Sequence, residues 1–363
     1  MAEETGKRKE DHIRICLGDK AQAKNATSGF EDIQLIHRAL PEVNKIKINL
    51  STTFLGKKFL APIIVGAMTG GTEQAIQINS SIAQAVEKLG LGMGVGSQRA
   101  AIEDPKLEET YSVARKIAPN AFLIANIGGV QLVHGYGLKE VKKVVEMIDA
   151  DAVAVHLNAL QEAVQPEGQT NFKGVLAKIA EIAGALDKPV IVKETGAGIS
   201  AEDAKALEDA GVKAIDVGGV GGTSFAAVEY YRTATKKNLS GEAFWDWGIP
   251  TAVSLIEAVQ TVKLPVIASG GLRSGTDVAK ALALNASLAS ISQPILQTAV
   301  KSAKETQEKL SCLIEELRNT LFLVGAEKIS DLAKTPVVIT GKTGDWLQAR
   351  GFSLQKYSKR GAH

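Results

Sequence analysis

An imidazole, two amides and a carboxylate crowd one short stretch of this chain, His156-Leu157-Asn158-Ala159-Leu160-Gln161-Glu162. The stretch follows the apolar run Asp151-Ala152-Val153-Ala154-Val155. That run reads as a buried parallel strand, because its residues are small or β-branched and do not alternate with polar ones. Polar groups gathered where such a strand ends can hold a phosphate and a divalent metal together. Glu162 and Asn158 offer oxygen ligands to Mg²⁺, which takes one or two protein groups and keeps water or phosphate for the rest. Gln161 adds a neutral hydrogen-bonding group.

A phosphate needs N–H donors and positive charge. Gly218-Gly219-Val220-Gly221-Gly222-Thr223-Ser224 and Ser269-Gly270-Gly271-Leu272-Arg273-Ser274-Gly275 each follow an apolar run. Glycine lets successive backbone N–H groups turn toward an anion, and a following helix N-terminus adds a favourable dipole. Lys193 ends another apolar run and suits the N1/O2 edge of a flavin, where a cation stabilises the anionic reduced ring. Asn126 could hydrogen-bond the pyrimidine-like edge. The backbone of Ala67-Met68-Thr69-Gly70-Gly71 could approach the ring closely. Together these groups predict a flavin mononucleotide site. Arg99, in Gly96-Ser97-Gln98-Arg99, suits bidentate contact with a substrate phosphate. Arg8, Lys9 and His12 could fold over the same mouth, although a basic patch as short as Lys7-Arg8-Lys9 would by itself read as a solvated tail.

The elements that would position these groups are regular. Strand-like runs occur at 62–66, 93–96, 122–126, 152–156, 190–194, 214–218, 266–269 and 288–291, each separated from the next by a helix-compatible segment. Eight such units predict an α/β fold, a TIM (β/α)8 barrel. Residues 1–60 lack the rhythm and read as an N-terminal extension covering the barrel mouth. Residues 61–363 read as the barrel with a C-terminal helix and tail. Asp104-Pro105 signals a helix start, and Ser200/Asp203 and Ser274/Asp277 have capping-box spacing. A last helix is predicted from about Thr298 to Phe322, with Leu310, Leu313, Leu317 and Leu321 on one face. The long loop after strand 6, carrying Trp245-Asp246-Trp247-Gly248, is a candidate lid.

Composition narrows the function further. With 42 Lys and Arg against 40 Asp and Glu, the chain lacks the clustered excess base of a nucleic-acid binder. Cys16 and Cys312 form neither a disulfide framework nor a CxxC pair, which suits the cytoplasm. The N-terminal residues show no signal-peptide core, and no apolar run reaches membrane-spanning length.

Taken with Arg8-Lys9-Glu10-Asp11-His12, Met93-Gly94-Val95-Gly96-Ser97-Gln98-Arg99, Gln165-Pro166-Glu167-Gly168 and Asp246-Trp247-Gly248, these motifs resemble type 2 isopentenyl diphosphate isomerases, the flavin-dependent kind, most closely the archaeal ones. The resemblance runs over nearly the whole chain. It implies interconversion of isopentenyl diphosphate and dimethylallyl diphosphate with reduced FMN, Mg²⁺ and NADPH as reductant, in a homotetramer or homo-octamer. It implies Arg8, Lys9, Ser97, Arg99, His156, Asn158 and Gln161 around the substrate and Glu162 at the metal. It implies Ala67, Met68, Thr69, Ser97, Asn126, Lys193, Thr223, Gly271, Arg273, Ala289 and Ser290 at FMN. Gln161, Lys193 and His156 would be the catalytic side chains. Reduced FMN would exchange protons with the alkene, with Gln161 orienting or relaying one.

Two positions depart from the family pattern. Asn285 stands where glycine is usual before the eighth strand, and Ser290 replaces a glycine within it; Asn tolerates a left-handed backbone. Two alternatives stay open. One is an FMN-dependent oxidoreductase on the same barrel, such as a hydroxy-acid oxidase or dihydroorotate dehydrogenase. The other is a flavin-binding barrel without turnover.

Overall fold

Side chains on a parallel strand alternate between two faces, and here that alternation closes into a ring. The computed structural model describes residues 2–233 and 239–361; residue 1, residues 234–238 of the long loop and residues 362–363 of the tail lie outside the description. Among the described residues, β1 (Ile63–Val65), β2 (Gly92–Gly94), β3 (Phe122–Gly128), β4 (Ala152–Leu157), β5 (Val190–Glu194), β6 (Ala214–Asp216), β7 (Val266–Ser269) and β8 (Leu288–Ile291) form a closed parallel barrel. β8 pairs back onto β1 with Ser290 opposite Ile64. All eight strands predicted from the sequence are present.

Ile64, Phe122, Ile124, Ala152, Ala154, Ile191, Ala214, Ile267 and Leu288 make one buried cluster inside the barrel. The intervening residues, such as Ile63, Val65, Leu123 and Val153, belong to a second core between the strands and the surrounding helices. Two positions beyond the inner apolar layer, the same face carries Gly66, Asn126, His156, Lys193, Asp216, Ser269 and Ser290, all lining one cavity at the carboxyl ends of the strands.

The N-terminal segment does not all lie at the mouth. Its first part is a helix, Ala2–Leu17, so the basic patch is helical and not a solvated tail. Residues 52–59 go to the opposite end of the barrel. There a hairpin of Thr52–Phe54 and Lys57–Phe59 sends Phe54 and Phe59 against Phe122, with ring centroids 5.9 and 5.6 Å from that ring. Ile33–Leu35 pairs antiparallel with Val337–Ile339, joining both ends of the chain.

The helix signals mostly hold, with two shifts. Ser200 and Ser274 accept hydrogen bonds from Asp203 N and Asp277 N as N-caps. Asp104 caps a 3₁₀ turn, Pro105–Leu107, and the α-helix begins only at Glu109. The long C-terminal helix is Ala303–Val324, preceded by a separate helix, Gln293–Ala299. The break falls at Ser302, which is extended and whose hydroxyl accepts from Glu305 N at 3.1 Å, starting a new helix. Leu310, Leu313, Leu317 and Leu321 are fully buried. Asn285 sits at φ +74°, the left-handed conformation expected for it. The loop after β6 contains helices Phe225–Arg232, Leu239–Ala243 and Thr251–Thr261.

Truncating a fully buried leucine leaves a cavity and costs about 2–5 kcal/mol. Leu313→Ala should therefore lower unfolding stability by about that amount, read as a lower urea midpoint at unchanged m.

Candidate active site

The cavity at the strand ends measures about 290 Å³. It is roofed by the N-terminal helix, from which Arg8, Lys9, His12 and Cys16 line it. Of the residues expected at substrate, cofactor and metal, all but Ala289 face this space. Ala289 is fully buried among the helices, because its neighbours Leu288 and Ser290 take the inner face of β8. Its side chain is therefore not at the site, whereas Ser290's is.

Lys9 is partly exposed, yet its ammonium is spent. Nζ donates to Gly70 O at 2.7 Å, Ser97 O at 2.8 Å and the Tyr111 hydroxyl at 2.5 Å. Three donors meet three protein acceptors, so Lys9 staples the N-terminal helix to the loops after β1 and β2. Burial and the neighbouring Arg8 charge lower its pKa to about 7, against a smaller opposite effect of Glu103. Arg99 Nε donates to Glu103 at 2.7 Å, leaving its terminal nitrogens uncommitted to that pair.

At β4, His156 Nδ1 lies 2.7 Å from Asn126 Oδ1, and Asn126 Nδ2 donates to Val95 O at 3.1 Å. Burial, then the charges of Lys193 and Lys9, lower the His156 pKa to about 3. The ring is neutral, with Nδ1 as donor. Asn158 Nδ2 donates to Glu162 Oε1 at 3.0 Å and to Gln161 Oε1 at 3.2 Å, while Gln169 N donates to Glu162 Oε2 at 2.7 Å. Glu162 is only 7% exposed and has no cationic side-chain partner among the described residues. Asn158 Oδ1 is buried without a hydrogen-bond partner. Asn158 Oδ1 is incomplete in the protein alone, and Glu162 has hydrogen bonds but no counter-cation among the described residues.

Two carboxylates that sequence reasoning missed stand beside Lys193. Burial raises the Glu194 pKa to about 7, although Ala197 N, Gly196 N and Lys193 all pull the other way. Asp216, opposite Lys193 in the β5–β6 register, is also raised by burial and bonds the Ser269 hydroxyl. Period-two reading of β6 would have found Asp216. Glu229 is another omission: it is fully buried and meets His12 Nε2 at 2.9 Å, Arg232 Nε at 2.6 Å and Gln161 Nε2 at 3.3 Å. Burial alone would raise its pKa, but hydrogen bonds and charge from His12 and Arg232 outweigh that and lower it. Gln165 joins this hub when its amide nitrogen faces Glu229 and its oxygen Arg8, each at 3.3 Å.

The anion end lies at the loops after β6, β7 and β8. Gly271 has φ +77°, and a Cβ on Gly222 would stand 2.8 Å from Gly271 N. Only glycine allows so close a pass. Arg273 Nη1 donates to Gln293 Oε1 at 3.1 Å and Nη2 to Gln22 Oε1 at 2.6 Å, while Gln22 Nε2 donates to Thr223 at 3.1 Å. Gln293 Nε2 is buried and lacks an acceptor. Gln22 comes from the patternless N-terminal segment, so no local signal marked it. Trp245 Nε1 and Asp246 tie the loop after β6 to Gln22, Lys24 and Asn25. Burial pushes the Cys16 thiol up to about 12, which excludes a thiolate nucleophile there at neutral pH.

The depressed His156 pKa has a definite sign. The unfolded chain binds a proton at this imidazole below about 6.5 and the folded protein only below about 3. Its contribution to stability is therefore lost as pH falls through that window. His156→Gln should show a shallower loss of stability between pH 6.5 and 4.5 than the parent in urea titrations. Equal slopes would mean that His156 ionises normally in the fold.

Comparison with known proteins agrees with this geometry. A family model described as FMN-dependent dehydrogenase matches residues 2–117 and 134–339. An isopentenyl-diphosphate delta-isomerase of Methanothermobacter thermautotrophicus is 50% identical over 97% of this chain and 99% of its own length. One from Pyrococcus furiosus is 50% identical over 98% of this chain and 92% of its own. Among solved structures, a mandelate oxidase variant with an FMN adduct superposes with a TM-score of 0.62 at 20% identity, covering 90% of this chain and 95% of that one. That likeness concerns the fold. Among the described residues no helix is long and apolar enough to cross a membrane. The chain belongs to the isopentenyl-diphosphate delta-isomerases of the FMN-dependent barrel type.

Proposed function

We propose that this protein interconverts isopentenyl diphosphate and dimethylallyl diphosphate, in isoprenoid biosynthesis, without net oxidation or reduction. The observation that carries the reading is the incomplete oxygen pair at the end of β4, Glu162 without a cationic partner and Asn158 Oδ1 without any partner. A buried carboxylate in that state awaits a cation. Among the described residues no cluster of three metal-ligating side chains exists. Mg²⁺ would then be held by Glu162 and by the oxygens of a bound diphosphate, its usual mode of binding.

FMN fits the opposite side. The unsatisfied Gln293 N–H, the Arg273 guanidinium and the close-passing glycine loops suit its phosphate. Lys193, at the rim of β5, suits the flavin edge that carries charge on reduction. Bound and reduced, FMN would supply the acid–base group that adds and removes the alkene protons. Arg8, Arg99, Ser97, Asn158 and Gln161 would hold the diphosphate and turn the alkene toward the ring, with His156 beside them presenting an Nε2 that carries no hydrogen. The ammonium of Lys9 is already satisfied by Gly70, Ser97 and Tyr111, so Lys9 would act on the substrate by holding Ser97 and the roof in place. Gln161, tethered to Asn158 and Glu229, would orient a proton or relay it. NADPH as reductant, a cytoplasmic location and a homotetramer or homo-octamer belong to the same reading and rest on the family resemblance.

The oxidoreductase alternative requires a base to take a proton from carbon. The histidine at the strand ends has a pKa of about 3, a poor match to neutral operation. Glu194, near 7, points its oxygen at Gly196 N and Ala197 N.

Anaerobic protein with FMN, NADPH, Mg²⁺ and isopentenyl diphosphate should form dimethylallyl diphosphate without matching NADPH consumption. Stoichiometric NADPH loss with an acceptor would favour the oxidoreductase, and absence of product on a bound, reduced flavin would favour the silent barrel. Lys193→Ala should lower turnover by about 10²-fold, the scale of one preorganised electrostatic partner. Glu162→Gln should mainly raise the Mg²⁺ concentration needed for half-activity. Unchanged activity in both variants would sink these two roles.

A further inference from the structure

β3 outruns its neighbour. The β2–β3 ladder covers Phe122, Leu123 and Ile124, and Val95 N adds one more bond to Ile124 O at 3.1 Å. Asn126 lies beyond it, deep in the barrel wall, where an unpaired N–H is costly. Gln98 takes the place of the missing strand. Its Oε1 accepts from Asn126 N at 2.8 Å, and its own N–H donates to Asn126 O at 2.9 Å. Its Nε2 donates to Val144 O at 2.9 Å and Met147 Sδ at 3.2 Å, on the helix Leu138–Met147. Gln98 is fully buried and does not line the cavity.

The consequence reaches the site through one side chain. With its backbone pinned by Gln98, Asn126 donates Nδ2 to Val95 O and presents Oδ1 to His156 Nδ1. An amide oxygen only accepts, so Nδ1 carries the hydrogen and Nε2 of the neutral ring does not. We propose that Gln98 is a positioning residue that fixes the Asn126 peptide and thereby selects the Nδ1–H tautomer and the ring orientation of His156. The proposal depends on the isomerase reading only in taking His156 as a diphosphate contact.

The variants Q98M and Q98E test it in the full-length FMN-loaded protein. Q98M keeps the volume and removes both polar ends. A protonated glutamic acid reproduces the donor and the acceptor of the amide, and its carboxylate keeps the acceptor that faces Asn126 N. Two readouts are made: the ¹⁵N pattern of His156 without substrate, and steady-state kinetics with isopentenyl diphosphate at saturating FMN. The parent should show a single Nδ1–H tautomer. Q98M should show mixed tautomers and, because the Nε2–H form can donate to the diphosphate where the parent presents a lone pair, a KM shifted about 10-fold, the scale of one hydrogen bond to a charged group, with kcat changed far less because the diphosphate is remote from the reacting carbons. Q98E should keep the parental tautomer, because it retains the acceptor for Asn126 N in either protonation state. A folded Q98M with the parental ¹⁵N pattern and a KM within about twofold would overturn the proposal. Should Q98M not fold, a parent whose own His156 ¹⁵N pattern is Nε2–H or mixed would overturn it equally. The tautomer readout needs no turnover, so it separates failure of this inference from failure of the isomerase reading.

Discussion

The two-residue period of a closed parallel barrel governs almost everything at this site. Ile64, Ile124, Ala154, Ile191, Ala214, Ile267 and Leu288 fill the barrel interior. Two positions on, the wall turns polar or loses its side chain at Gly66, Asn126, His156, Lys193, Asp216, Ser269 and Ser290. The apolar layer below these groups excludes water and lowers the local dielectric, which strengthens each charge above it. The shifts at His156 and Glu194 both follow from burial first, reinforced at His156 by the charges of Lys193 and Lys9 and opposed at Glu194 by hydrogen bonds from Ala197 N and Gly196 N. A one-residue slip in any strand would bury its polar group among the helices and open an apolar hole in the ring.

The roof depends on a different kind of contact. A helix of low apolar content, Ala2–Leu17, is held by polar side chains that reach deep partners. Lys9 meets two carbonyls and Tyr111, and His12 meets the fully buried Glu229. Glu229 also contacts Arg232 and Gln161. The same carboxylate therefore joins roof, loop helix and strand-end amide. Removing one partner of a buried ion pair leaves an uncompensated charge, which costs about 3–5 kcal/mol. Such a joint makes the closed roof and the orientation of Gln161 interdependent.

How much of this was legible from sequence varies by element. The eight strands were, because continuous apolar runs separated by helical segments have few other solutions. The polar strand ends were legible with them. The direction of Ala289 was also available, since Leu288 and Ser290 fix its face, and reading the motif as a block concealed it. Asn285 shows the reverse case, where residue type alone anticipated φ +74°. The roof was legible only in outline, as Arg8, Lys9 and His12 over the mouth, and not in what holds it. Lys7-Arg8-Lys9 resembles any solvated basic patch until Gly70, Ser97 and Tyr111 are brought beneath it by three separate elements. Gln22, Gln98 and Glu229 reach Thr223, Asn126 and Gln161, each at least 28 residues away, and no local spacing encodes such distances.

A shared barrel does not decide the chemistry. The mandelate oxidase structures match this fold at 17–20% identity, and what separates reactions on such a scaffold is which groups the rim leaves unsatisfied. Here the unsatisfied groups are of opposite character on opposite sides. Gln293 offers an unused N–H beside Arg273, while Asn158 offers an unused oxygen beside Glu162, which has no cationic partner among the described residues. A donor-rich side accepts an anion directly. A side that bears unused acceptors takes an anion only with cations beside it, and Arg8 and Arg99 line the same cavity. That asymmetry suits an anion directly at the loops after β6 to β8 and leaves Asn158 and Glu162 at the end of β4 short of positive partners, with Lys193 standing between the two at the rim of β5.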